Sequence, residues 1–446
     1  MIPVITPGRM AEIDAAATEP FDVLIERAGR GVARAAIEML GGTYGRRVIV
    51  IVGPGNNGAD GRVAARQLER RGVRCSLVEV ANQPASIDRA DLVIDAAFGN
   101  GLRRPYEAPI VAGHIPVLAV DLPSGVDGLT GASLGRPLRA DRTVTFVALK
   151  PGLVLEPGRS LGGFVEVVDI GLAASGAVAF AVNDADIAPL LPTLPVDDHK
   201  WRTGLRIVGG SPGMTGAAWL AARAAQRCGA GIVQLAMPGA RGDEGPIEAV
   251  ALPLPLDDWA AAAFDQLPAR IGAVLVGPGL GLTPSAALKA ACALPVPLVL
   301  DGDALQRELV PLLAERDAPT VLTPHDGEWR RLTGGVADDR MAETVSFSEE
   351  HGVTVVRKGP TTIVAGPDAP TRVITSGTAA LATAGTGDVL AGAIVAFLAR
   401  GVSGPDASVI AAHVHGRAGA ELGAGLAASE VADALAAHLA AIAAPE

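Results

Sequence analysis

Short apolar runs alternate with stretches of helical periodicity along most of the chain. In the first half, these runs predict strands at 48–52, 76–80, 92–96, 117–120, 144–147 and 164–168. Residues 10–40 carry apolar side chains at helical spacing and predict one or two amphipathic helices ahead of the first strand. Because most of the strands are apolar on both faces, they indicate a mostly parallel sheet covered by helices, the doubly wound α/β arrangement.

A second alternating series follows. It predicts strands at 205–208, 232–235, 274–276, 298–300, 321–322 and 353–356, closed by helical segments at 388–400 and from 405 to the end. Residues 171–199 lose the rhythm and gather prolines, which is typical of a linker. A chain of 446 residues also exceeds one ordinary core. We therefore expect two α/β domains, 1–178 and 179–446, with no repeat between them.

Composition and charge exclude several classes of function. With 49% hydrophobic and 19% charged residues, the chain should fold around buried cores rather than stay disordered. A formal net charge of −11 offers no basic field for nucleic acid or an anionic membrane surface. No apolar run is long enough to span a membrane, and Cys75, Cys228 and Cys292 form no C-x-x-C pair. We expect a cytoplasmic protein without nucleic-acid or membrane partners.

Polar motifs follow three strands of the first half. The first, Gly53-Pro54-Gly55-Asn56-Asn57-Gly58-Ala59-Asp60-Gly61, leads into a helix predicted from Arg62. The others are Ile94-Asp95-Ala96-Ala97-Phe98-Gly99 and Asp121-Leu122-Pro123-Ser124-Gly125. Taken singly, each motif is equally consistent with a tight turn or a helix cap. Ligands bind outside the carboxyl ends of parallel strands, however, so the three motifs together predict one site.

These motifs resemble the NAD(P)H-hydrate epimerase family, and the resemblance covers most of residues 10–171. It implies a Rossmann-like domain that interconverts the R and S forms of hydrated NADH and NADPH beside a potassium ion. Asn57, Asp95 and Ser124 are the potassium ligands that it implies, and their oxygen donors suit a hard cation. The residues expected to contact the hydrate are Asn56, Asn57, Gly58, Ala59, Asp60, Gly99, Asn100, Gly101, Leu102, Arg103, Arg104, Pro105 and Asp121.

Two residues of this half carry more specific expectations. Asp121 is the candidate acid/base of the epimerase, because it ends a buried strand at the expected site. Ala59 departs from the family's usual Asn-Asn-Gly-Gly-Asp loop. Because a methyl group restricts positive φ angles, we expect a slightly altered turn with its polar groups unchanged.

Motifs in the second half also follow predicted strands, at 277–281, 323–328 and 358–362. Another, 383–392, begins a helix with Gly385-Thr386-Gly387-Asp388, where small residues allow a phosphoryl group to approach the helix N-terminus. Taken alone, Asp388 would as readily cap the helix, and His325 would as readily be an ordinary hydrogen-bonded histidine. Their position at one sheet edge favours a site instead.

Together with 199–204 and 209–217, these motifs resemble the ADP/ATP-dependent NAD(P)H-hydrate dehydratases of the ribokinase-like fold, over about residues 186–439. The resemblance implies that ADP or ATP, carried with Mg²⁺, phosphorylates the hydroxyl of the S hydrate. Departure of phosphate then restores the dihydronicotinamide. Asp388 would take the hydroxyl proton, and Glu328 would act as an indirect Mg²⁺ ligand. The expected hydrate contacts are Ala217, Gly279, His325 and Asp388, and the expected nucleotide contacts are Lys358, Gly359, Pro360, Thr361, Thr362 and Gly387.

The sequence as a whole predicts a bifunctional repair enzyme for hydrated NADH and NADPH, assembled as a homo-oligomer. Two alternatives stay open. A ribokinase-like vitamin kinase would share the Gly-Thr-Gly-Asp helix start but leave a stable phosphorylated product. A first half that only binds a nucleotide would leave the ratio of the two epimers unchanged. The motifs decide neither between ADP and ATP nor between the two hydrated cofactors.

Overall fold

A computed structural model describes residues 1–102, 104–193, 195–240, 245–265, 267–281 and 283–444. The chain divides into two compact units, Ile2–Phe180 and Ala181–Glu446. The segment predicted as a linker is not devoid of structure, because it holds a strand, a helix and a 3-10 turn. These elements are Ala179–Ala181, Asp184–Ile187 and Ala188–Leu190. Among the described residues, no helix is both long enough and apolar enough to cross a membrane.

A parallel sheet forms the centre of the first unit. Its strands lie in the spatial order Phe164–Val168, Arg142–Phe146, Val117–Val120, Leu92–Ala96, Arg47–Val52 and Arg74–Glu79. Each neighbouring pair is parallel. The strands predicted in this half are confirmed. Because the chain moves away from Arg47–Val52 in both directions, the sheet has its switch point there, where doubly wound folds bind ligands.

The helices of this unit are Pro7–Ala15, Phe21–Leu40, Asn56–Glu69, Pro151–Val154 and Gly158–Gly162. The two long ones, Phe21–Leu40 and Asn56–Glu69, pack against the same face of the sheet, and short strands and loops cover most of the other face. The remaining elements are the short strands Ile2–Val4, Ser86–Ile87, Tyr106–Glu107, Ile110–Val111 and Gly135–Arg136, and the 3-10 turn Val80–Asn82. The second and third helices pack closely, because a Cβ atom added at Gly29 would lie 2.4 Å from the Cβ of Val63.

Two predictions about the first glycine-rich motif are wrong. The helix begins at Asn56 rather than at Arg62. The glycines permit a close approach rather than a long loop, since a Cβ atom at Gly58 would lie 2.0 Å from the carbonyl oxygen of Gly53. Ala59 therefore lies within the first helical turn, without a positive φ angle, and its methyl group alters no turn.

The second unit contains a larger, mostly parallel sheet. Its strands follow the order Val250–Leu254, Ile232–Pro238, Gly204–Val208, Ile271–Val276, Leu298–Leu300, Thr320–Leu322, Thr354–Arg357, Thr362–Gly366 and Ala369–Ile374. The last two pairings are antiparallel. Those two strands and Val250–Leu254 were not predicted. Pro253 interrupts the pattern of Val250–Leu254, and proline is tolerated because, among the described residues, this strand lies at the sheet edge and pairs only with Ile232–Pro238.

One helix of this unit, Thr386–Ala399, is buried on nearly every side. The others are Thr215–Arg227, Trp259–Phe264, Ser285–Cys292, Val310–Leu313, Asp326–Thr333, Arg340–His351, Gly404–Leu422 and Ala428–Ala443, with 3-10 turns at Gly302–Ala304, Arg307–Leu309 and Ala379–Leu381. The buried helix begins two residues ahead of the predicted start at Asp388. The helical segment predicted from 405 is divided at Gly423 and Gly425, whose φ angles are 71° and 89°.

Close packing of the buried helix predicts the effect of one substitution. In Gly392→Ala, the new methyl group would lie 2.1 Å from the carbonyl oxygen of Ala221. We expect the second unit to lose about 1–3 kcal/mol of unfolding free energy, the usual cost of overpacking. The control is Gly216→Ala, at a helical position with nothing within 4 Å, which should gain up to about 1 kcal/mol. Denaturant unfolding compares them, and equal stabilities would contradict this packing.

Candidate active sites

A cavity of about 800 Å³ lies at the carboxyl ends of the first unit's strands. Its polar lining residues are Asp14, Asn56, Asn57, Asp60, Asn100, Arg104, Asp121 and Lys150. The predicted residues Gly99, Gly101 and Leu102 line it as well, whereas Gly58, Ala59 and Pro105 do not. Arg103 falls outside the described residues. The fold therefore brings the predicted motifs to one cavity and adds Asp14 and Lys150.

Asp121 is surrounded by hydrogen-bond donors. Its Oδ1 lies 2.7 Å from the Nζ of Lys150 and accepts from the hydroxyl of Thr145 at 3.1 Å. Its Oδ2 accepts from the backbone N–H of Asn100 at 3.3 Å. Lys150 is 1% exposed and also donates to the carbonyl of Phe146 at 3.0 Å. These contacts suit an ionised carboxylate, and the buried ion pair fixes both side chains.

Lys150 was not predicted as a site residue, although its position in the sequence indicates one. Lys150 comes shortly after the predicted strand 144–147, at the same sheet edge as the three motifs. The backbone at this edge is strained, because Asp121 and Val147 have φ angles of 66° and 68°. For residues other than glycine this region costs about 1–3 kcal/mol, and such strain often accompanies functional sites.

Asp60 lies in a different environment in the same cavity. It is 5% exposed, and its Oδ1 has no hydrogen-bond partner among the described residues. Burial raises its pKa to about 8, and the charges of Asp121 and Asp14 add to the shift. The pKa of Asp14 is raised as well, mainly by burial, with Lys150 acting against the shift.

Asp95 and Ser124 lie beneath this cavity and contact each other. The carboxylate of Asp95 is fully buried and accepts from the N–H and the hydroxyl of Ser124, at 2.8 Å and 2.6 Å. Burial raises the pKa of Asp95, and the hydrogen bonds from Ser124 act against that shift. Within the described ranges no cationic side chain pairs with Asp95, and no cluster of His, Cys, Asp or Glu could hold a metal.

Asn57 supplies a further oxygen at the same edge of the sheet. Its amide N–H donates to the carbonyl of Val120 at 3.0 Å, which turns its Oδ1 towards Gly99. A Cβ atom added at Gly99 would lie 3.1 Å from that oxygen and 3.0 Å from the Oδ2 of Asp121. A buried carboxylate without a cationic partner, beside amide and hydroxyl oxygens, has the chemistry of a site for a hard cation.

The unusual state of Asp60 predicts a pH-dependent stability. A carboxyl group whose pKa rises from 3.8 to about 8 on folding destabilises the native state increasingly as the pH rises through that interval. Asp60→Asn should therefore stabilise the first unit, by an increment that grows from about pH 4 to about pH 8. Thermal unfolding at both pH values tests this. The exposed control, Asp88→Asn, should give no growing increment, and a pH-independent effect of Asp60→Asn would contradict the buried carboxyl.

Lys358 is the centre of the predicted site in the second unit. Its Nζ donates to the Oδ1 of Asp301 at 2.8 Å and lies 3.5 Å from the Oε2 of Glu328. The same oxygen of Asp301 accepts from the hydroxyl of Thr323 at 2.6 Å. A Cβ atom added at Gly387 would lie 3.2 Å from this Nζ, so the ammonium sits at the start of the buried helix.

Asp388 lies in the first turn of that helix. The N-cap residue is Gly385, with φ 92° and no side chain, so Asp388 is not the cap. Burial raises the pKa of Asp388 to about 7, with Asp301 and Glu328 raising it further and Lys358 lowering it. A carboxyl group with such a pKa can exchange a proton at neutral pH.

His325 and Glu328 form the N-terminal cap of the helix Asp326–Thr333. The Nδ1 of His325 accepts from the N–H groups of Gly327 and Glu328, at 2.9 Å and 3.1 Å. Glu328 in turn accepts from the N–H of His325 at 2.8 Å. His325 therefore has a structural partner on one ring nitrogen, while its side chain remains 58% exposed at the site.

Arg340 supports the loop at 358–361. Its guanidinium donates to the carbonyl oxygens of Lys358 and Thr361, the latter at 2.9 Å. Arg340 carries no signal in the sequence, because it lies on the helix Arg340–His351, away from any strand end. Asp301 was not predicted either, although it directly follows the predicted strand 298–300 and shares the strand-end position of the other motifs.

Two further motifs meet on the other side of this site. The loop at 209–211 pairs with 277–281, through the N–H groups of Gly210 and Ser211 to the carbonyls of Pro278 and Gly279, both at 2.8 Å. A Cβ atom at Gly279 would lie 3.0 Å from the Cβ of Ala217. The two hydrate contacts predicted here, Ala217 and Gly279, are therefore neighbours.

The two units together define a class of protein, an α/β enzyme with two sites. One site lies at the switch point of a doubly wound sheet, and the other lies at a glycine-capped helix N-terminus of the kind that binds phosphate. Known families match both units. The N-terminal domain of YjeF-related proteins matches residues 21–88 and 74–152, and NAD(P)H-hydrate dehydratase matches residues 205–441. The chain belongs to the family of bifunctional NAD(P)H-hydrate repair enzymes.

Individual relatives cover nearly the whole chain. The bifunctional NAD(P)H-hydrate repair enzyme Nnr of Salinibacter ruber is 36% identical over 95% of this chain and 92% of its own. The enzyme of the same name from Mycobacterium leprae is 36% identical over 92% of each chain. The crystal structure of the ADP/ATP-dependent NAD(P)H-hydrate dehydratase of Bacillus subtilis, obtained with ATP and Mg²⁺, covers 60% of this chain and all of its own, at TM-score 0.53 and 29% identity. A ribokinase-like protein of Enterococcus faecalis, at TM-score 0.52 and 23% identity, shares the fold.

Proposed function

We propose that this chain repairs hydrated NADH and NADPH through two reactions. The first unit interconverts the R and S hydrates, and the second dehydrates the S form at the expense of ADP or ATP. Relatives named bifunctional NAD(P)H-hydrate repair enzymes match nearly the entire chain, which favours this function over a vitamin kinase. The single structural observation that carries the proposal is a half-buried aspartate, Asp388, whose pKa is raised to about 7 and which lies beside a lysine at a glycine-capped helix start.

In the dehydratase, Asp388 takes the proton of the substrate hydroxyl as the terminal phosphoryl group of the nucleotide approaches. A pKa of about 7 suits this role, because about half of the carboxyl groups are ionised at neutral pH and the carboxylate still accepts a proton readily. Lys358 and the backbone N–H groups at the start of the helix stabilise charge on the transferring phosphoryl group. Phosphate is a far better leaving group than hydroxide, so elimination restores the dihydronicotinamide.

The nucleotide binds at residues 358–362 and at Gly387. Arg340 keeps the backbone of this loop in place, and Lys358 directs its ammonium towards the phosphates. Mg²⁺ would accompany the nucleotide and neutralise part of its charge. Glu328 already accepts from the N–H of His325, so its contact with the ion would run through water, as an indirect ligand. The hydrate binds in contact with Ala217, Gly279 and His325.

In the epimerase, Asp121 contacts the hydrate and acts in the acid/base step, with Lys150 and Thr145 holding its carboxylate in place. Asn56, Asp60 and the backbone of 99–102 complete the binding surface. Potassium bound by Asn57, Asp95 and Ser124 would supply a fixed positive charge for the pyrophosphate-bearing substrate. The buried, cation-free carboxylate of Asp95 supports this assignment. A homo-oligomeric assembly and a cytoplasmic location stay predictions.

The dehydratase activity has a direct assay. The chain, given the S hydrate of NADH, ADP and Mg²⁺, should restore the absorbance of NADH and release AMP and phosphate. Asp388→Asn should slow this reaction by about 10²–10⁴-fold and leave epimerisation intact. The wild-type rate should fall as the pH drops below about 7, because Asp388 then carries a proton. Full-speed dehydration by the variant, or a stable phosphorylated product, would contradict the mechanism.

The potassium site predicts a cation-dependent stability of the first unit. Potassium chloride should raise its unfolding temperature more than choline chloride of equal ionic strength, since a bound ion stabilises only the folded state. Asp95→Asn should abolish the difference between the two salts, because it removes the buried charge. An exposed variant, Asp88→Asn, serves as the control and should keep that difference. The same unfolding temperature in both salts for the wild-type chain would argue against a cation at Asp95.

A further inference from the structure

Two carboxyl groups of the first cavity, Asp60 and Asp121, lie in opposite electrostatic environments. Asp121 contacts the ammonium of Lys150 at 2.7 Å, whereas Asp60 has no cationic partner among the described residues and leaves its Oδ1 without a hydrogen bond. Both side chains line the same cavity. Pairs of carboxyl groups whose surroundings favour opposite protonation states are the usual arrangement of a general acid beside an ionised group.

We propose that Asp60 is the catalytic acid of the epimerase, donating a proton to the departing hydroxyl of the hydrate while ionised Asp121 faces the developing positive charge. This inference rests on the epimerase function proposed above and deepens it. The sequence analysis placed Asp60 only among substrate contacts. Its burial, its unpartnered oxygen and its place in the cavity are what distinguish it from an ordinary binding residue.

The reaction balances with these two groups alone. The electron pair of the ring nitrogen forms a C=N bond as the C–O bond breaks, and the hydroxyl leaves as water with the proton of Asp60. Water then adds to the opposite face of the ring, the C=N electrons return to nitrogen, and Asp121 takes a proton of that water, which passes back to Asp60 through solvent. The negative charge of Asp121 stabilises the cationic ring between the two steps. No oxidant or further reactant is consumed.

The neighbours of Asp60 explain why it holds the proton. Asp14, on the helix Pro7–Ala15, and Asp121 both raise its pKa by their charges, in addition to burial. Lys150 and Arg104 line the same cavity, but Lys150 pairs with Asp121 and also lowers the pKa of Asp14. Asp95 is the other buried carboxyl group of this region, and it does not line the cavity.

The first test is Asp60→Asn in the full chain, with the interconversion of purified R and S hydrates followed by chromatography without nucleotide. After subtraction of the spontaneous interconversion, we expect kcat to be about 10²–10⁴-fold lower than that of the wild type, with KM changed little. Asp121→Asn is measured alongside. Because the same substitution at Asp60 should stabilise the unit, unfolding would not explain the loss. An Asp60→Asn variant with wild-type kcat would overturn the inference.

The second test is the pH profile of epimerisation. For the wild type, kcat/KM should fall as the pH rises through about 8, where Asp60 loses its proton. Asp14→Asn should move this alkaline limb to lower pH, because it removes a negative charge that holds the proton on Asp60. An unmoved limb would overturn the assignment to Asp60. A wild-type chain that does not interconvert the hydrates would instead overturn the epimerase function itself, and this inference with it.

Discussion

Close contact between the ends of neighbouring parallel strands is the constraint on which both sites depend. Gly53 and Gly277 each directly follow a strand, and a Cβ atom on them would lie 1.8 Å from the carbonyl oxygen of Ala97 and 1.7 Å from that of Asp301. No other residue fits at such positions without moving the backbone. The segment that follows each of these strands therefore packs directly against the segment that follows the neighbouring strand. This packing places the polar motifs within hydrogen-bonding distance of each other.

Both sites then use the same electrostatic arrangement on different folds. In each, a lysine with little exposure pairs with one aspartate, Lys150 with Asp121 and Lys358 with Asp301, at 2.7 Å and 2.8 Å. In each, a second carboxyl group nearby has its pKa raised by burial, to about 8 for Asp60 and about 7 for Asp388. One carboxylate thus has a cationic partner while its neighbour can carry a proton, which is what acid/base chemistry near neutral pH needs.

The prediction from sequence succeeded where the signal was local and failed where a distant part of the chain decided. The six strands of the first unit's parallel sheet were found because buried parallel strands are continuous apolar runs. The start of the helix at Asn56 was missed, because glycines in a sequence usually indicate a loop. Here Gly58 is required by its contact with the carbonyl of Gly53, which only the structure shows. Val250–Leu254 was missed because Pro253 breaks its pattern, and only its edge position allows the proline.

By itself, the sequence determined the alternation of strands and helices, the division of the chain into two α/β parts, and the motifs that carry the family resemblance. These features are local, since each depends on residues that are neighbours along the chain. Only the tertiary structure decided which side chains pair and which stay protonated. The pairing of Lys150 with Asp121 joins residues far apart in sequence, and the pKa of Asp60 depends on burial and on the charges of Asp14 and Asp121. Burial and distance through space belong to the folded chain alone.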